Sequence, residues 1–270
     1  MSELRGRDRL IVPLDVPTRD AALALVEALD GVTDFFKIGW ELFVAGEWRP
    51  LLEDLRGKQV FLDLKVPADI GNTIARVVQL CAGLGVRFLT LSDSRNLRAT
   101  VRAAREARSR AEHPRLLAVP YLSSLDQSDL DEVAGKPGAR LSDYVLERSR
   151  DALDAGCDGL IASGQEIRLL RDRFGERTII VSPGIRPAGS PAQDHKRVAT
   201  PAEAIELGAD YLVVGRPIRE APDPRAAAQQ IVAEIDRALD RQPPGTRKRD
   251  EPRAARKTAT PSSKAPTGTR

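Results

Sequence analysis

The 270-residue sequence predicts an α/β fold, a closed (β/α)8 TIM barrel in a single domain, and three observations predict it. Short, β-rich apolar runs alternate with amphipathic helical patterns through eight successive units. The runs are of the buried type, as in a parallel sheet covered by helices. Polar or charged residues follow these runs directly, at the strand ends where such barrels carry their chemistry. An open doubly wound sheet is the structural alternative. It would want a Gly-rich turn after the first strand, and "LDVPTRD" is not one.

The units run in order. "RLIVPLD" ends at Asp15, and "TRDAALALVEALD" follows with helical spacing. "DFFKIG" precedes "ELFVAGEWRPLLEDL", and "QVFLDLK" precedes "DIGNTIARVVQLCAGLG". "RFLTLS" leads into "NLRATVRAAREARSRA", and "RLLAVPYL" into a longer, partly helical stretch through Asp154. "DGLIAS" precedes "QEIRLLRDRFG". "TIIVSPGI" enters a Pro/Gly-rich loop before "PAEAIELG". "DYLVVGRPI" precedes the last helix, "DPRAAAQQIVAEIDRALD".

Composition sets the boundaries. Residues 1–240 form the barrel domain and 241–270 a basic tail. The tail holds nine Lys or Arg against two acidic residues, so the overall charge of +3 leaves −4 on the barrel. Lacking aromatic and large aliphatic side chains, the tail cannot bury enough surface to fold and reads as disordered. It is a solvated extension or a weak contact for nucleic acid or an anionic surface. Two histidines, His113 and His195, exclude a His-rich metal site. Cys81 and Cys157 show neither a disulfide framework nor zinc spacing, which points to a reducing compartment. The first residues, "MSELRGRDRLIVPLD", contain no long apolar run, and a cytoplasmic protein is expected.

Two clusters carry the chemistry. Asp63 and Lys65 lie two apart on a strand, so their side chains share a side. Lys37 ends the preceding strand, and Asp69 follows on the loop or first helical turn. An alternating Lys–Asp–Lys–Asp array makes burial tolerable and favours the ammonium form of Lys65. It reads as a proton donor in a field that repels a substrate anion, or as a salt-bridge cluster at a barrel rim. The second cluster is "VVGRPI". Gly215 allows close backbone approach and Arg216 offers a fork of donors, after the strands whose loops commonly bind phosphate. "SPGIRP" adds Arg186.

With these pieces in place, the chain resembles the orotidine 5'-phosphate decarboxylase family. The resemblance rests on "LDV" at 14–16, "FKIG" at 36–39, "FLDLK...DI.NT" at 61–73, "SPGIRP" at 182–187 and "ADYLVVGRPI" at 209–218. It covers roughly residues 8–238. It implies a homodimeric barrel, a lyase of de novo pyrimidine (UMP) biosynthesis, converting orotidine 5'-phosphate to uridine 5'-phosphate and CO2 with no metal and no organic cofactor. It implies Lys65 as proton donor to C6, Asp63 beside the departing carboxylate, and Lys37 bridging the array and the ribose. Asp69 and Thr73 would enter from the other subunit. Asp15 would contact the nucleoside and Ser123 the pyrimidine. Arg186, Gly215 and Arg216 would hold the phosphate.

The chain departs from the family pattern in three places. Three residues rather than two separate Lys65 from Asp69. "LTLSDSRN" stands where the family has a His-Ala-x-Gly-like segment, and His195 stands where related bacterial forms have a phosphate-loop Gln. The rival readings are a metal-dependent sugar-phosphate decarboxylase of the same superfamily, of the 3-keto-gulonate 6-phosphate type, and a non-catalytic nucleotide-binding relative.

Overall fold

Neighbouring strand residues part to opposite sides of the sheet, as the period of two requires. Phe35 joins an inner cluster with Ile11, Phe61, Phe88, Leu117 and Tyr211, whereas Phe36 joins an outer cluster packed under the helices. The computed structural model describes residues 4–67, 71–92, 97–108, 113–131, 138–164, 166–188 and 199–242.

A short helix, α1 (Gly6–Arg9), precedes the barrel. Its strands are β1 (Leu10–Pro13), β2 (Phe35–Ile38), β3 (Gln59–Val66), β4 (Val86–Ser92), β5 (Arg115–Val119), β6 (Gly159–Ile161), β7 (Ile179–Ser182) and β8 (Tyr211–Val213). They pair in chain order, all parallel, and β8 closes on β1. Between them lie α2 (Arg19–Ala28), α3 (Trp40–Val44), α4 (Trp48–Asp54), α5 (Gly71–Gly83), α6 (Leu97–Arg108), α7 (Leu141–Ala155), α8 (Glu166–Phe174) and α9 (Pro201–Leu207). After β8 come α10 (Arg216–Arg219) and α11 (Pro224–Arg241). The closed barrel agrees with the sequence reading. The single helix expected over "ELFVAGEWRPLLEDL" is instead two, parted at Gly46, which has φ +77°.

Helix starts are set by side chains that take up free backbone N–H groups. Thr18 accepts from Ala21, Asp223 accepts from Ala226, and Thr200 forms a reciprocal pair with Glu203. The barrel interior is packed. At its N-terminal end the Arg87 guanidinium lies 5.5 Å from the centres of the Phe35 and Phe88 rings and donates to the Tyr211 hydroxyl at 2.9 Å. Leu4 packs on the same cluster. With that end filled, the cavity forms at the C-terminal end. Among the described residues no helix is long and apolar enough to cross a membrane. The tail expected at 241–270 lies outside the described residues from 243 onward.

Candidate active site

The inward positions that are apolar deep in the barrel become polar at its mouth. Phe35 is followed by Lys37 on β2, and Phe61 by Asp63 and Lys65 on β3. These side chains line a cavity of about 430 Å3 together with Asp15, Glu41, Ser123, Arg186, Gly215, Arg216 and Arg219.

The charges form one chain. The Lys37 ammonium donates to Asp15 Oδ1 at 3.1 Å and lies 3.6 Å from Asp63 Oδ2. The Lys65 ammonium donates to Asp63 Oδ1 at 3.0 Å. Thr90 of β4 donates its hydroxyl to that same oxygen at 2.9 Å. Burial works against the Asp63 charge, but Lys37, then Lys65 and the hydrogen bonds of Lys65 and Thr90, outweigh it and hold the carboxyl below the ordinary carboxylate range. Gly39 leaves room beside this pair. A Cβ there would stand 3.1 Å from Asp15 Oδ1 and 3.2 Å from Lys37 Nζ.

Asp63 and Lys65 share a side, as their spacing predicts, but the strand between them is not regular. β3 pairs with β4 at Leu62 with Leu89 and next at Val66 with Leu91, so four steps on one strand match two on the other. Within this bulge Lys65 has φ +46°, in the left-handed region. The Lys65 N–H donates to Thr90 Oγ1 at 2.9 Å.

Past the end of β8, Gly215 precedes α10, and a Cβ on it would come 2.9 Å from Pro13 Cγ. That contact requires glycine at this position. Arg216 follows, and Arg186 is buried beside Gly184 in the β7 loop. Arg219, one turn past Arg216, donates to the Asp15 carbonyl and so ties this rim to the start of the charged chain.

The structure therefore brings Asp15, Lys37, Asp63, Lys65, Ser123, Arg186, Gly215 and Arg216 to one cavity. Thr73 does not join them: it is exposed in the first turn of α5, outside the cavity of its own chain. Asp69 and His195 lie outside the described residues. Sequence reasoning missed Thr90, Glu41 and Arg219. Thr90 carried a weak signal, a hydroxyl two residues past Phe88 and so on the same inward side of "RFLTLS", a side that Ser92 shares. Among the described residues, no group of three or more His, Cys, Asp or Glu is placed to hold a metal ion.

Fold and cavity define a (β/α)8-barrel enzyme with a charged mouth. Residues 8–231 match the model of the Orotidine 5'-phosphate decarboxylase / HUMPS family. The chain belongs to this family. A protein of Rhodopseudomonas palustris (strain HaA2) named orotidine 5'-phosphate decarboxylase is 50% identical over 234 residues, 86% of this chain and 96% of that one. One of the same name from Afipia carboxidovorans is 49% identical over 231 residues, covering 85% and 95%. The crystal structure of orotidine 5'-phosphate decarboxylase from Lactobacillus acidophilus superimposes with a TM-score of 0.70 at 32% identity, covering 85% of this chain and 99% of that one.

Proposed function

We propose that this chain decarboxylates orotidine 5'-phosphate to uridine 5'-phosphate and CO2, with Lys65 as proton donor. The observation that carries the reading is the Asp63–Lys65 pair, 3.0 Å apart at the cavity floor and flanked by Lys37. The bond from C6 to the carboxylate breaks and CO2 leaves. The electron pair stays on C6, and a proton from Lys65 Nζ forms the new C6–H bond. Asp63, already ionised, repels the substrate carboxylate more than the carbanion, whose charge faces the Lys65 ammonium. Charges fixed before the reaction need no reorganisation during it, which is usually the largest catalytic contribution.

The phosphate belongs at the other rim, on Arg216, Arg186 and the backbone at Gly215, with His195 as a further donor. Binding energy gained there assembles the site around the reacting end. Asp15 and Lys37 take the ribose side, and Ser123 the pyrimidine. The reading extends to a cytoplasmic homodimer in which Asp69 and Thr73 complete the partner's site. The outward position of Thr73 and the exposed Trp40 and Val44 on α3 support an interface, and the buried, unpaired Cys81 and Cys157 suit a reducing compartment. Against a metal-dependent sugar-phosphate reaction, the Lys37 ammonium already stands between the carboxylates of Asp15 and Asp63, the place a divalent cation would take.

Purified protein should bleach the absorbance of orotidine 5'-phosphate, and EDTA should not slow it. No change in absorbance would remove the reading. Loss of activity in EDTA, restored by a divalent metal, would favour the sugar-phosphate class.

A further inference from the structure

Thr90 is fully buried and is not part of the cavity lining, so it does not meet a substrate there. Its hydroxyl nevertheless makes two bonds to the reacting pair. It accepts the Lys65 backbone N–H at 2.9 Å and donates to Asp63 Oδ1 at 2.9 Å. A hydroxyl has one hydrogen. Since the Lys65 N–H occupies the oxygen as an acceptor, that hydrogen is free for Asp63, and Asp63 receives it as a carboxylate.

The position explains why β4 supplies this group. Thr90 lies between Leu89 and Leu91, the two residues that pair on either side of the β3 bulge. Opposite the bulge the ladder is out of register, and the Lys65 amide finds a side-chain oxygen on β4. The contact also spans the residue whose φ of +46° a lysine seldom adopts. At Asp63, Oδ1 takes the Thr90 hydroxyl and the Lys65 ammonium, while Oδ2 is turned to Lys37. The rotation of the carboxylate is thereby set, and with it the place of the lysine that must reach C6.

We infer that Thr90 is a positioning residue, a single hydroxyl that locks the bulged Lys65 backbone to the Asp63 carboxylate and so aims the proton donor. The inference rests on the reading of Asp63 and Lys65 given above. Space filling alone does not require the hydroxyl, because valine has nearly the same shape.

The test compares Thr90→Ala, Thr90→Val and Thr90→Ser with wild type and Lys65→Ala. Losing a hydrogen bond to a charged group should lower kcat about 10- to 100-fold in Ala and Val. KM should stay within about twofold, because the phosphate rim is untouched. Thr90→Ser should recover kcat to within about threefold. A second readout does not depend on turnover. By 13C NMR, the Asp63 carboxyl should titrate at higher pH in Ala and Val than in wild type and Ser. Among the described residues, the charged groups facing it are Lys37 from β2 and Lys65 on its own strand, with Asp15 from the end of β1 behind Lys37, and none of these changes in the variants. Should Ala and Val not fold, Thr90→Cys, similar in size with a weak donor, carries the same comparison. In an active wild type, the assignment is overturned if the hydroxyl-free variants keep kcat within about twofold, if Ser is no better than Ala, or if the Asp63 titration does not move. A wild type without decarboxylase activity, or Lys65→Ala as active as wild type, would instead overturn the reading beneath it.

Discussion

Lys65 carries an unfavourable backbone angle, φ +46°, that a lysine on an ordinary strand would avoid. Such conformations cost about 1–3 kcal/mol and persist only where the surroundings over-determine them. Here the Thr90 bond and the ion pair to Asp63 do so. Lys65→Ala should keep the circular dichroism of the fold and lose nearly all single-turnover decarboxylation. Retention of more than a small fraction of the rate would take the donor role from Lys65. Asp63 makes a pH prediction. Its carboxyl is held below the ordinary carboxylate range, so its contribution to stability is complete above about pH 5. It is lost as pH falls through the lowered folded value, below about pH 4. The difference in unfolding free energy between wild type and Asp63→Asn should be flat from pH 5 to 8 and fall in acid. A slope within the neutral range would mean that the carboxyl is raised instead.

Two elements of the barrel are built alike, and neither serves the cavity. "AGCDGLI" and "LGADYLV" each end a helix at a left-handed glycine, Gly156 at φ +114° and Gly208 at φ +107°. Each then places an aspartate just before a strand. Asp158 accepts from the Leu116 N–H at 2.9 Å, and Asp210 from the Ile180 N–H at 2.8 Å. An arginine completes each: the part-buried Arg108 pairs with Asp158, and the buried Arg171 lies 2.8 Å from Asp210. The aspartates pin β5 to β6 and β7 to β8 at the end away from the chemistry. Asp210→Ala leaves the Ile180 N–H without its acceptor and Arg171 with only the exposed Glu176, 3.8 Å away, as a charge partner, and should cost about 3–5 kcal/mol in urea unfolding. Activity per folded molecule should be nearly unchanged. A loss under about 1 kcal/mol would show that the three carbonyls also bonded to Arg171, those of Gly175, Thr178 and Gly208, suffice to hold it.

For the whole molecule, the proposal that two chains share each site makes a mixing prediction. Neither Asp69→Ala nor Lys65→Ala homodimers should be active. Their heterodimer should regain up to about half of wild-type activity, since one of its two sites holds both intact groups. Verified heterodimers with no recovery would place Asp69 in its own chain's site, or away from the chemistry.

How much of this the sequence carried follows from how far each feature reaches along the chain. The alternation of apolar runs with amphipathic helices is local, and it led directly to a closed parallel barrel. Asp63 and Lys65 were legible because two residues on one strand share a face, and Lys37, Asp15, Arg186 and Gly215 because they follow apolar runs. The bulge in β3 was not legible, since it exists only in the register with β4, 25 residues on from Lys65 to Thr90. The inward phase of Thr90 could be read from β4 alone, but its bond to the Lys65 amide could not. The need for glycine at 215 likewise lies in a neighbour from another part of the chain, Pro13, and the close space at Gly39 in Asp15. Where the strands are regular, sequence alone determined which residues point inward, because a strand's own period decides it. Only the tertiary structure decided which of them touch, because contact depends on how separate strands are aligned when the barrel closes.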